Sequence, residues 1–140
     1  MTPEELLKHP ARVLTQSQRE CYFEHGSVGV ESLVPADVLA ELQAVTADFM
    51  DKSRHETQSG NVYDIGPGHS AENPVLRVLK SPDEQADGYW RLSAGLMADV
   101  AAHLGGPNVT FHQSKLNCEW FDASDTVEWH QDIQFFPHTN

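Results

Sequence analysis

Near its C-terminal end the chain carries Trp129-His130-Gln131-Asp132. In a strand, successive side chains alternate between faces, so His130 and Asp132 share one. An imidazole and a carboxylate on the same face supply two arms of a facial triad. In such a triad two His and one carboxylate hold an iron and leave its other coordination positions open. A third ligand and most of a barrel are expected after this motif, and the chain ends eight residues later, at Asn140. The expectation is therefore the front part of an enzyme.

The motif alone carries little. Eight His and ten Asp among 140 residues give about 0.6 chance matches to His-x-Asp. Its weight comes from its setting. Thr126 to Phe136 reads as a strand in which Trp129, Ile133, Phe135 and Phe136 flank the polar pair. Such a strand buries one face and leaves the other wet or lining a pocket. A His-Asp hydrogen bond on an exposed face is the plainer alternative. The preceding strand, Val109 to Asn117, places Gln113, Lys115 and Asn117 on one face by the same alternation. A polar row of that kind faces either solvent or a site.

The elements that must position these strands come first in the chain. Thr15 to His25 reads as a helix, with Thr15 and Gln18 spaced for a capping box and Gly26 as its stop. Val28 to Leu33 reads as a short strand. Pro35 opens a second helix whose Val38, Leu42, Val45 and Phe49 share one face, with Asp37 in its first turn. A loop follows from His55 to Asn73, long enough to suggest a role, and its Asp64 to Asn73 part is a candidate lid. Val75 to Leu79 reads as a strand, Ser81-Pro82-Asp83-Glu84 as a capped helix start, and Ser93 to Leu104 as a helix ending at Gly105-Gly106. Helices first and strands last predict an α+β arrangement in which helices buttress a sheet.

Composition bounds the function. The net charge of -12 argues against nucleic acid and anionic membrane surfaces, whose binding rests on Lys and Arg. There is no basic-then-apolar leader and no apolar run of about 18 residues, so a cytoplasmic protein is expected. Cys21 and Cys118 form no Cys-x-x-Cys. No phosphate-binding Gly-rich loop and no Gly-x-Ser-x-Gly is present. His9, His25, His55 and His103 read as surface residues of helices or their ends. His69 could reach a site from the Gly-rich loop. His138 lies too far past Asp132 to close the same triad.

Gly106-Pro107-Asn108-Val109, His112-Gln113-Ser114-Lys115-Leu116-Asn117, Val127-Glu128-Trp129-His130-Gln131-Asp132 and Phe136-Pro137-His138-Thr139-Asn140 together resemble the phytanoyl-CoA dioxygenase family, which includes the ectoine hydroxylase branch. The resemblance covers most of the chain and is weakest from His55 to Asn73. It implies a double-stranded β-helix, or jelly roll, of which this chain holds the N-terminal part. Residues 1–105 would be a mainly helical region with short strands, and 106–140 the first core strands. It also implies Fe(II), with 2-oxoglutarate as cosubstrate, and hydroxylation of a small organic substrate by O2. His130 and Asp132 match the family's first two metal ligands. Gln113 matches a substrate-side position, and Lys115 is placed to meet a carboxylate of the cosubstrate or substrate. The third His ligand and the 2-oxoglutarate-binding Arg are expected past Asn140. Where many members have Lys-Pro or a nearby Lys after Asn117, this chain has Cys118-Glu119-Trp120, which removes that cation. The alternative is a non-catalytic jelly-roll domain that binds metal or a partner.

Overall fold

A computed structural model describes residues 1–118 and 129–131. The element order is α1 (Pro3–Leu6), α2 (Gln16–His25), α3 (Ala36–Ser53), β1 (Tyr63–Ile65), β2 (Leu76–Lys80), α4 (Pro82–Gln85), α5 (Asp87–Leu92), a π-helical stretch (Ser93–Met97), α6 (Ala98–Gly105) and β3 (Lys115–Asn117). The strands form one antiparallel sheet in the order β1-β2-β3. Helices and a small antiparallel sheet make this an α+β arrangement, as the order of the sequence patterns predicts.

α2 begins where its sequence says it should. The Thr15 hydroxyl accepts from the Gln18 N–H at 3.3 Å, and the Gln18 side chain accepts from the Thr15 N–H at 2.8 Å. Two donors left over at the helix start are thereby satisfied. At the other end Gly26 takes the left-handed conformation, φ 76°, and returns its N–H to the Tyr22 carbonyl. α3 starts one residue later than expected, with Pro35 as its N-cap, and buries Leu42 and Phe49. Asp37 in its first turn and Lys52 in its last complement the helix dipole.

β2 is the centre of the sheet. Leu76 and Leu79 are both 0% exposed. Residues three apart in a regular strand face opposite ways. Here the β1–β2 register shifts between Asp64 and Ile65, so that Asp64 opposes Val78 and Ile65 opposes Leu76. The extra residue on β2 makes a bulge, which re-aims the side chains around it. α3 packs against this strand, and Phe49 meets Tyr63 of β1 with ring centroids 6.4 Å apart.

Several expectations change. Val28 to Leu33 is not a strand: it has no pairing partner among the described residues, and its chain turns at Ser32, φ 54°. The long loop shortens because β1 lies inside it. The candidate lid is pinned: Gly66 N–H donates to Val75 O at 2.8 Å, and the two ring nitrogens of His69 join Ser53 O at 2.9 Å and Val75 N–H at 2.9 Å. The Val75 bond makes Nδ1 the acceptor, so Nε2 carries the hydrogen and donates to the Ser53 carbonyl at the end of α3, which also accepts from the Glu56 N–H. Gly66 is required there, because a Cβ would stand 2.8 Å from Val75 Cγ1. Ser81 takes φ 46° and makes no side-chain cap. The chain reverses there directly from strand to helix, and the Ser81 N–H continues the sheet to Ser114 O at 3.2 Å. The helix expected from Ser93 starts earlier, at α5, and passes through the π-helical stretch. Val109 to Asn117 shortens to β3.

Leu79→Ala is expected to lower unfolding stability by about 2–5 kcal/mol, since it removes a fully buried side chain from the central strand. His69→Ala is expected to cost about 1–3 kcal/mol through its two hydrogen bonds. Urea titration followed by circular dichroism measures both. A loss under about 0.5 kcal/mol for Leu79→Ala would mean that β2 is not the core strand.

Candidate active site

β3 carries Lys115 and Asn117, both exposed, and the half-buried Leu116. It is held in register by Val78↔Asn117, Leu79↔Leu116 and Lys80↔Lys115. Cys118 extends the pairing, its N–H donating to Arg77 O at 2.7 Å. Burial pushes the Cys118 thiol up in pKa, which keeps it protonated and a poor nucleophile.

The Lys80–Lys115 pairing sets like charges opposite each other, which by itself destabilises a sheet. Lys80 relieves this by donating its Nζ to Gly60 O at 2.8 Å, on the β1 side. Lys115 makes no ion pair among the described residues and stays in solvent. Ser114 anchors the start of β3: its hydroxyl donates to the Asp83 carboxylate, and its carbonyl accepts from Ser81. α4 thereby fixes where Lys115 begins.

Gln113 lies just before β3 and is exposed. It borders a groove of about 310 Å³ walled by Ser93, Met97, Ala101, Val109 and Phe111. The π-helical stretch forms one side. Such stretches insert a residue into a helix and recur at functional sites. Ser93-Ala94-Gly95 gives a weak helical sequence there, but nothing in the pattern announces the extra residue. Phe111 stacks edge-on with Trp90, centroids 5.5 Å apart, and closes one end of the segment. Gln113 and Lys115 are thus two positions apart on one segment, Gln113 beside the groove and Lys115 on the strand edge.

His130 is exposed and, with Trp129 and Gln131, lies outside regular secondary structure. The strand expected over Thr126 to Phe136 is therefore absent at 129–131. Trp129 is fully exposed rather than flanking a core. Asp132 and the rest of that expected strand lie outside the described residues. Among the described residues no three His, Cys, Asp or Glu side chains cluster as a metal site. Among the other histidines, His9, His25 and His55 are exposed as expected, and His69 is the clamp described above. His103 differs: it is half-buried, and its Nδ1 accepts from the Leu14 N–H at 3.3 Å. No helix of the described residues is long and apolar enough to cross a membrane.

Comparison with known proteins gives this segment its context. The chain is 26% identical over 129 residues to a protein of Stutzerimonas stutzeri named a probable alpha-ketoglutarate-dependent hypophosphite dioxygenase. The match covers 91% of this chain and 44% of that relative, so the chain spans less than half the relative's length. No solved structure gives a significant match. The family profile for phytanoyl-CoA dioxygenase (PhyH) matches residues 22–140, from within α2 through β3 and the His130-x-Asp132 motif, and on that match the chain belongs to the phytanoyl-CoA dioxygenase family.

Proposed function

We propose that this chain supplies the first two metal ligands of an Fe(II)- and 2-oxoglutarate-dependent oxygenase that hydroxylates a small substrate with O2. The observation that carries the reading is His130-x-Asp132 inside a family match that runs to residue 140. The donor set suits the metal: one neutral imidazole nitrogen and one carboxylate oxygen are two of the three ligands of a facial triad. His130 is exposed and lies outside regular secondary structure. When bound, iron with 2-oxoglutarate and O2 supplies the oxidising power for inserting a hydroxyl group.

The remaining roles fall to this chain's own side chains. Lys115 offers a compact, solvated ammonium on a flexible stem, suited to a carboxylate of the cosubstrate or substrate. Gln113 offers both a donor and an acceptor beside a mostly apolar groove, a lining that holds a small molecule by shape and orients it by one amide. Residues 1–105 act as the helical buttress and 106–140 as the first strands of a jelly-roll core, with β3 among them. The substrate class is a small molecule. The relative's name adds a small phosphorus oxyanion to the organic compounds worth testing.

In the intact protein, His130→Ala and Asp132→Ala are each expected to lower 2-oxoglutarate-dependent succinate formation at least about 100-fold, since each removes a direct ligand from a three-ligand site. Near-normal turnover by either variant would refute the assignment. Removing the metal with a chelator should abolish turnover in the wild type, and added Fe(II) should restore it. Lys115→Ala is expected to raise KM for 2-oxoglutarate or substrate about tenfold with a smaller change in kcat, the pattern of lost binding. Unchanged kinetics would assign Lys115 to solvent.

A further inference from the structure

α1, α2 and α6 border a half-open cleft of about 230 Å³ lined by Leu6, His9, Arg12, Arg19, Asp99 and His103, among others. Arg19 is 1% exposed, among the most buried side chains of the described residues. Its guanidinium donates to His9 O at 2.9 Å, to Gln16 Oε1 at 3.3 Å and to Leu6 O. These bonds tie α1 and the following turn to α2, but every acceptor is neutral. No carboxylate among the described residues pairs with this buried cation, and its Nε–H has no acceptor.

His103, on α6, lines the same cleft. Its Nδ1 accepts from Leu14 N–H, so the ring hydrogen sits on Nε2. That Nε2 is also buried with no partner. Two buried N–H donors at one cleft therefore lack an acceptor. A buried donor left without an acceptor destabilises the fold, because it loses its hydration and gains nothing in exchange. A water could satisfy the hydrogen bonds but not the uncompensated charge of Arg19, and burying a charge without a counter-charge is the larger penalty.

We infer that the cleft between α1, α2 and α6 binds a compact oxyanion, carboxylate or phosphate in type, at the Arg19 and His103 side chains that line it. Arg12 adds positive charge at the wall, and His9 lies beside it. Asp99, also lining the cleft but exposed, is the acidic residue among the lining side chains. The neighbourhood is consistent: His103 is held below its usual pKa by burial first and by the Arg19 charge second, with Asp99 pulling the other way and Arg12 adding to the depression. None of the cleft's residues belongs to the proposed metal site, so the inference stands or falls independently of that reading.

The test is a titration of the intact protein with sodium phosphate and, separately, sodium acetate, each against sodium chloride at matched ionic strength. Side-chain 15N NMR reads the Arg19 Nε–H and the His103 ring nitrogens. The expected result is a saturable shift at both groups with phosphate or acetate and none with chloride. The anion that saturates identifies the ligand type. Arg12→Gln, at an exposed position, should keep the melting temperature in chloride and weaken binding roughly fivefold. Arg19→Lys keeps the charge but loses the fork and should abolish the saturable shift at His103. Shifts that chloride reproduces would overturn the proposal and leave a water-filled structural pocket. So would saturable binding unchanged in both variants, which would put the anion elsewhere.

Discussion

Leu76 and Leu79 of β2 are both removed from solvent although they stand three residues apart, and the register shift against β1 makes that possible. With both leucines inside, β2 becomes the strand on which α3 packs and to which β1 and β3 pair on either side. The buried faces of Leu42 and Phe49 then have a surface to meet. Gly66 follows from the same constraint, since the chain leaving β1 passes so close to Val75 and Arg77 that a Cβ would not fit. At Gly88, between α5 and α3, a Cβ would meet the end of the flexible Glu41 side chain, which can give way, so the tight glycine is Gly66.

Polar groups complete what apolar burial begins. His69 ties the end of α3 to the entry of β2 through both ring nitrogens. Arg91 pairs with Glu41, and the Tyr89 hydroxyl meets Thr46 Oγ1 at 2.6 Å, so α5 is joined to α3 by more than shape. Arg19 does the same for α1 and α2, at the cost of burying a charge inside a chain of net charge -12.

The consequence for chemistry is that the segment bearing Gln113 and Lys115 is fixed from below. β2 sets its register, the Ser114–Asp83 contact sets where it starts, and the π-helical stretch shapes the groove beside it. Lys80 turning to Gly60 leaves Lys115 as the solvent-facing ammonium of a cross-strand lysine pair. His130 and Asp132 follow this segment in the sequence, within the family match.

Local signals were legible in the sequence where one residue type has one job. The Thr15–Gln18 box, Gly26 as a left-handed stop, the apolar face of α3 and the strand before Ser81 all form as their patterns require, because caps and 3.6-residue periodicity act within a single element. The His130-x-Asp132 spacing and its flanking motifs were enough to place the chain in its family. What tertiary structure alone decided depends on contacts between distant segments. Val28 to Leu33 has strand-forming residues but no partner to pair with among the described residues. β1 appears inside an apparent loop because β2 offers it an edge. Ser81 gives up its cap because its backbone is needed by the sheet. His103 and Arg19, polar residues on helices, look like surface residues in any sequence pattern. They are drawn inward because α1, α2 and α6 converge there, and no one-dimensional pattern encodes which helix ends will meet.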